Sequence, residues 1–489
     1  MGEGCRSHLS RPRRGVGAIF LAALAAAPSA AFAQGGSGGR NAPEHLDAPY
    51  VVVVSFDGFR HDYLDRFETP NFDRVARRGV RADALIPIFP SKTFPNHYAI
   101  ATGMYAESHG LVGNDFWDPE FEALYRLADR SAVQDGRWYG GEPIWVTAER
   151  QGMVAASFFF VGSEAAIGGV RPTEYRVYDG SVPNEARVDQ VLDWLRRPAP
   201  ERPHLVMLYF SDVDGAGHRY GPDSPEVERA VETVDRALGR LLDGIDALDI
   251  ADEVYVVLVS DHGMQAVSAE RVEYIEDLVD LAGVRILGGG PYLTLWIDGA
   301  PERVREIEAA LNDGLRHARA YRREAMPERW RYAGSPRVGS LIVLAEPGWQ
   351  VLGSRERTAR GGGAHGYDPA TTPAMRGIFL AAGPAIRSGL RIPAVENVHV
   401  YPLLAHLLGL RPNPEIDGRL EVLEPILEPA PAVSTTQSTT ESPDAPGPIM
   451  FREDDLNRLI EPGLEGAGTR GDEIAALHAG ERFADAGVP

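Results

Sequence analysis

The 489-residue chain has one cysteine, Cys5, and it lies in a leader expected to be removed. The mature protein is therefore expected to hold no disulfide, and any metal it binds must be held by nitrogen and oxygen ligands. Long apolar runs are also missing. The longest early one, Gly15 to Ala27, is too short to span a bilayer. A positive balance is absent too: the formal net charge of -21 argues against a nucleic-acid-coating protein, which needs a basic face. It does not exclude a small anionic substrate, because a metal site can be locally positive inside an acidic protein.

The N-terminus reads as a secretory signal. Arg6, Arg11, Arg13 and Arg14 form a basic start, the apolar run follows, and Ala31-Phe32-Ala33 is a small-x-small cleavage site. Cleavage is expected before Gln34, which makes the protein periplasmic or secreted; an uncleaved membrane anchor is the alternative. Residues 34–48 read as a flexible leader. Residues 429–489 open on a Pro-, Ser- and Thr-rich stretch and read as a flexible tail. The remainder, 49–428, reads as one catalytic domain.

Within it, three apolar runs suit strands buried on both faces: Tyr50 to Phe56, Leu205 to Phe210 and Val254 to Val259. Helical patterns alternate with them, at Pro70 to Gly79, Asn184 to Arg196 and Ser224 to Ala247. The last has Ser224 as cap and Pro225 in its first turn. The alternation predicts an α/β fold with a large, mostly parallel sheet flanked by helices on both faces. Residues 265–360 differ in texture. Strand-like runs at Tyr292 to Ile297 and Gly339 to Leu344 flank a helix from Glu302 to about His317, which predicts a small inserted α+β subdomain.

In such sheets ligands bind beyond the carboxyl ends of the strands. Asp57, Asp214 and Asp261 all lie just past strand ends and should converge on one rim. His218, His262 and His365 lie beside them or in a Gly-rich loop. Each residue alone is a weak signal, and Asp57-Gly58 is more often a turn than a metal site; the coincidence of six is what carries weight. Asp and His are the ligand types for zinc without thiolate. Six of them plus a hydroxyl suit two ions, which can clamp the attacking and leaving oxygens of a phosphoryl transfer. The hydroxyl is Thr93, in Lys92-Thr93-Phe94-Pro95-Asn96-His97. A helix starting near Pro95 would aim its free N–H groups back at it.

Taken in order, Asp57-Gly58, Lys92 to His97, Gly110 to Asn114, Gly141-Glu142-Pro143-Ile144-Trp145, Asp214-x-x-Gly-His218, Ser260 to Met264 and His365-Gly366 resemble the nucleotide pyrophosphatase/phosphodiesterase family of the alkaline phosphatase superfamily. The resemblance implies an alkaline-phosphatase-like fold and two zinc ions. It implies Thr93 as nucleophile on a zinc also held by Asp57, Asp261 and His262, with the other zinc on Asp214, His218 and His365. It further implies that Asn114 and the N–H of Phe94 hold a non-bridging oxygen, and that Phe94, Tyr178 and Tyr209 sandwich a nucleobase. Lys92 and Trp145 are compatible with contacts beyond the base. Asp115 departs from the pattern: nucleotide-selective animal members carry a lysine near this asparagine. The expected activity is release of nucleoside 5′-monophosphates through a phosphothreonine. The substrate is a small nucleotide or phosphodiester rather than a bound nucleic acid. A lipid-headgroup (choline-type) phosphodiesterase, a phosphomonoesterase and a non-catalytic zinc-binding protein remain as alternatives.

Overall fold

The computed structural model describes residues 39–429. The expected signal peptide and the tail after residue 429 lie outside the described residues. Strand β1 (Tyr50–Phe56) is buried at every position. Its residues alternate between two cores, as the two-residue period of a strand requires. Val51 and Val53 join one hydrophobic cluster, whereas Tyr50, Val52, Val54 and Phe56 join the other. These clusters are the two faces of the main sheet, and each is covered by helices.

The sheet also contains β2 (Val80–Ala82), β3 (Ala155–Phe158), β4 (Glu174–Arg176), β5 (Leu205–Phe210) and β6 (Val254–Val259). β1 runs parallel to β5 on one side and to β6 on the other, with Val51 opposite Leu205 and Tyr255. Asp57 and Asp261 therefore leave adjacent strands at the same rim, and β5 leads into the segment that carries Asp214.

Helix α1 (Pro70–Arg78) follows β1, and α2 (Thr93–Thr102) follows β2. α2 begins at Thr93, two residues earlier than expected from Pro95. Pro95 then falls in the first turn, where its missing N–H costs nothing. α3 (Asn184–Leu195), α4 (Asp212–Tyr220) and α5 (Pro225–Asp246) complete the helices around the site. The side chain of Ser224 caps α5 by accepting from the Val227 N–H. In turn, Asp235 of α5 caps α1, accepting from the N–H groups of Asn71 and Phe72.

Between β6 and residue 362 the chain builds a second sheet of four antiparallel strands. They are β7 (Val284–Gly288), β8 (Tyr292–Ile297), β9 (Ala318–Arg322) and β10 (Leu341–Ala345), in the order β7-β8-β10-β9. Helix α6 (Pro301–Gly314) lays Ile307 and Leu311 on it. The sequence indicated β8, β10 and α6. It did not indicate β7 and β9, the two edge strands, because their half-buried, Arg-containing sequences lack an apolar run.

The chain then rejoins the main sheet as β11 (Phe379–Ala382) and β12 (Leu390–Ile392), giving the order β12-β2-β11-β6-β1-β5-β3-β4. β11 is antiparallel to both neighbours, so the sheet is mixed. His365 returns the chain at the same rim as Asp57 and Asp261, and the next strand can only run away from that rim.

Within residues 39–48, the described part of the stretch expected as a leader, Asn41 is anchored to the domain. The Asn41 side chain is buried, donates to Ala199 O and Arg202 O, and accepts from the Val154 N–H. Among the described residues no helix is long and apolar enough to cross a membrane.

Candidate active site

Every residue expected to hold metal lies at one end of the main sheet. Asp57 follows β1, and Asp261 and His262 follow β6. Asp214 and His218 lie four apart on α4, with Asp214 Oδ1 3.4 Å from His218 Nε2. Gly58 allows α4 to approach, because a Cβ there would stand 2.8 Å from the Asp214 Cα. Gly363, in the short strand before His365, meets Gly217 O in the same way. These contacts explain why Asp-Gly and Gly-Gly-Ala sequences accompany the ligands.

Two sub-clusters emerge. In one, His262 Nε2 lies 3.0 Å from Asp261 Oδ2, 3.4 Å from Asp57 Oδ1 and 3.3 Å from Thr93 Oγ1. In the other, Asp214, His218 and His365 present ligand atoms within 4.8 Å of one another. The two touch, since the rings of His262 and His365 stack at 3.5 Å and Asp57 also groups with Asp214 and His262.

The donor chemistry fits divalent metal. Asp57 Oδ1 and Asp214 Oδ1 are buried and have no hydrogen-bond partner, the state expected of carboxylate oxygens reserved for a cation, and Asp261 Oδ2 faces the His262 and His97 imidazoles. Each of the three histidines places Nδ1 against a backbone carbonyl: Gly363 O for His218, Gly263 O for His262 and Ser91 O for His365. That contact holds the hydrogen on Nδ1 and turns the Nε2 lone pair inward.

The titration of the cluster follows from crowding. Burial, then Asp261 and Asp214, push the Asp57 carboxyl well above the usual range. Burial would raise Asp261 as well, but His262 and His97 outweigh it and hold its carboxyl low. Burial opposes charge on His262, yet Asp261 wins and lifts the imidazole to about 9. Burial and the neighbouring His262 hold His365 well below the ordinary imidazole value.

His97 also stands within reach of Asp57 and Asp261. Its Nδ1 faces two acceptors, Thr93 O at 3.0 Å and Asp261 Oδ2 at 3.2 Å, so Nδ1 carries the hydrogen. Nε2 accepts from the Ser55 hydroxyl at 2.8 Å. With both nitrogens committed, His97 orients Asp261 rather than offering a lone pair. Sequence reading missed this role, although His97 sits one helical turn after Thr93.

Asn114 departs from expectation. The Phe94 N–H donates to Asn114 Oδ1 at 2.9 Å, so the pair does not present two free donors. Instead Asn114 is clamped with its Nδ2 as the donor. Lys92, at the N-cap of α2, is the only lysine among 49 Lys and Arg residues. Burial pushes its ammonium down to about 8, against the opposing pull of Asp214 and Asp115. Trp145 is fully buried and packs beside Phe160, so it lies in the core and not at the site.

Thr93 and four of the metal-ligand candidates, Asp57, Asp214, His218 and His365, border a cavity of about 410 Å³ that Phe94, Phe159, Tyr178 and Tyr209 also line. All three aromatics expected from the sequence are thus brought together. Tyr209 does a second job: its hydroxyl donates to Asp57 Oδ2 at 2.6 Å. The Tyr178 N–H donates to Glu164, whose carboxylate also pairs with Arg130 at the cavity edge. Phe159 and Glu164 were not singled out from the sequence; the backbone turn that aims Phe159 has no signature there.

Comparison with known proteins agrees with this geometry. Residues 51–368 match the family described as type I phosphodiesterase/nucleotide pyrophosphatase. The ectonucleotide pyrophosphatase/phosphodiesterase family member 1 of Mus musculus is 37% identical over 383 residues, which are 76% of this chain and 42% of that one. A venom phosphodiesterase of Naja atra is 34% identical over 412 residues, 80% of this chain and 48% of that one. The chain thus spans about half the length of these relatives. Murine ectonucleotide pyrophosphatase/phosphodiesterase 5 superposes with a TM-score of 0.73 at 33% identity, over 78% of this chain and all (100%) of that one. An inactive variant of that protein has been solved in complex with AMP, again with a TM-score of 0.73. With the ordered motifs, the rim cluster and the mixed sheet all in agreement, the chain belongs to the type I phosphodiesterase/nucleotide pyrophosphatase family, within the alkaline phosphatase superfamily.

Proposed function

We propose that the protein is a secreted or periplasmic two-zinc phosphodiesterase/pyrophosphatase. It cleaves nucleotide phosphodiester or phosphoanhydride bonds to release nucleoside 5′-monophosphates. The observation that carries the reading is the placement of Thr93: its hydroxyl stands on the first residue of α2, 3.3 Å from His262 Nε2, where the carboxylate–histidine cluster opens into an aromatic-walled cavity. A solved relative in complex with AMP supports the nucleotide class.

Asp57, Asp261, His262 and Thr93 would hold one zinc, and Asp214, His218 and His365 the other. When bound, such ions lower the pKa of a hydroxyl and neutralise charge on phosphoryl oxygens. The protein's own groups do the rest. Thr93 gives up its hydroxyl proton and Oγ1 attacks phosphorus, forming an O–P bond as the bond to the leaving oxygen breaks. Asn114 Nδ2 donates to a non-bridging oxygen, and the positive end of the α2 dipole favours the anion. Water then attacks the phosphorus of this nucleotidyl-phosphothreonine, the P–Oγ1 bond breaks, Thr93 takes a proton from that water, and the nucleoside 5′-monophosphate is released. Phe94, Tyr178 and Tyr209 stack on the base, which favours any nucleobase with little choice among them.

The test is turnover of thymidine 5′-(para-nitrophenyl) phosphate by zinc-loaded Thr93→Ala, together with its metal content. Turnover should fall by about three orders of magnitude or more while zinc is retained. Near-normal turnover would sink the phosphothreonine scheme. Greater wild-type activity on glycerophosphocholine, or on a phosphomonoester, would move the substrate assignment to those classes.

A further inference from the structure

One wall of the aromatic cavity is built on a residue in a costly conformation. Phe159 has a φ of +73°, the left-handed region that an aromatic side chain rarely adopts. Such strain persists only where the surroundings over-determine it, and it collects at functional sites. The surroundings here centre on Arg187 of α3, which is 3% exposed.

The Arg187 guanidinium has four engagements at once, one of them its Cζ 5.9 Å from the Phe210 ring centroid. Its Cζ lies 5.1 Å from the centroid of the Phe159 ring. One terminal nitrogen, NH1, donates to Tyr209 O at 2.9 Å. Its Nε donates to Val182 O at 3.1 Å, on the loop that follows Tyr178. Phe159 in turn meets Tyr178 edge to face at 5.2 Å, and Tyr178 meets Tyr209 at 6.1 Å. One buried cation therefore ties together a strained aromatic, the strand end carrying Tyr209 and the loop carrying Tyr178. Only a planar fork can lie on a ring and donate in its own plane to two carbonyls; an ammonium cannot match that geometry.

We propose that Arg187 is a positioning residue that sets the spacing of the Phe159, Tyr178 and Tyr209 walls, and so governs how tightly the substrate's aromatic group is held. It touches neither substrate nor metal. The proposal rests on the nucleotide reading above, and two substrates with the same leaving group separate them. Thymidine 5′-(para-nitrophenyl) phosphate fills the cavity with a nucleoside, whereas methyl para-nitrophenyl phosphate puts a methyl group there.

In Arg187→Met, KM for the thymidine ester should rise about tenfold with kcat little changed, the loss expected from one misplaced stacking contact. The kcat/KM for the methyl ester should stay within about twofold of wild type. Arg187→Lys, with the charge but not the fork, should fall between. A parallel loss on both esters, or no change on either, would overturn the proposal. If thermal melting shows that Arg187→Met does not fold, Arg187→Lys decides on the same two esters. A wild-type enzyme with no advantage for the thymidine ester over the methyl ester would overturn the nucleotide reading itself, and the positioning role with it.

Discussion

His97 holds Asp261. The His97 Nδ1 lies 3.2 Å from Asp261 Oδ2, and both side chains are completely shielded from solvent. The Ser55 hydroxyl fixes the far side of the imidazole at 2.8 Å. A candidate ligand carboxylate thus has its own orienting imidazole, supplied by the same helix that carries Thr93. Outer contacts of this kind typically change metal affinity by about 10–100-fold. His97→Ala should weaken zinc retention by about that factor, measured by competition with a chromophoric chelator. Unchanged affinity would mean that Asp261 is held well enough by the Gly58 N–H alone.

Chelation should also lower stability. Asp57 and Asp214 each leave an oxygen buried and unpartnered when no cation is bound. A metal that binds the folded state and not the unfolded one stabilises it by mass action. Adding EDTA to the zinc-loaded protein should lower Tm, and restoring zinc should reverse the shift. A Tm indifferent to chelation would contradict the fit of these oxygens to metal.

Asp115 bears on the leaving group. It is exposed, next to Asn114 in sequence, and near enough to Lys92 to act on its charge. A carboxylate at this place opposes the attraction that Lys92 would exert on a terminal phosphate. Asp115→Lys should raise kcat/KM for ATP by about tenfold relative to the thymidine nitrophenyl ester, the effect of reversing one nearby charge. Equal changes on both substrates would show that the position does not read the leaving group.

Stability should fall in mild acid. Burial pushes His109 down to about 3 and His204 to about 4. The His109 Nδ1 accepts from the Leu111 N–H, a contact only the unprotonated nitrogen can make. Unfolded histidines take up protons near 6.5, whereas these folded ones do not. Their contribution is therefore present above about 6.5 and is lost as pH falls from there towards about 4, at about 1.4 kcal/mol per pH unit for each group. The urea midpoint should drop over that range, and His109→Asn should flatten the drop. An equally steep drop in the variant would assign it to other groups.

Asn41 offers a stability test remote from the site. Its amide satisfies Ala199 O, Arg202 O and the Val154 N–H in a buried setting. Asn41→Ala should cost about 1–3 kcal/mol by urea denaturation, with kcat unchanged. A loss below about 0.5 kcal/mol would place these groups in contact with water.

Much of the site was legible because strand ends advertise themselves. Asp57 and Asp261 each end an apolar β-branched run, and Asp214 and His218 have the spacing of one helical turn. What stayed hidden depends on long-range contact. The role of His97 needs β6 to be placed beside α2, and the clamp of Phe94 on Asn114 needs a loop to fold back over twenty positions. The packing of Asn41 needs partners more than a hundred residues away. β7 and β9 were missed for a local reason: edge strands face water on one side and tolerate arginine, so they carry no apolar signature. The contact of Phe159 with Arg187 spans 28 positions, so no local pattern announces it.

The N-cap of α2 has a practical consequence. Because Lys92 is the chain's one lysine and immediately precedes Thr93, a lysine-specific endoprotease acting on the denatured protein has a single cleavage point, the Lys92–Thr93 bond. Any phosphoryl group trapped on Thr93 during turnover would then sit on the first residue of the larger fragment, where the first cycle of N-terminal sequencing reads it. The same bond is sequestered at a helix start in the folded protein, so one proteolytic cut reports both unfolding and the identity of the nucleophile.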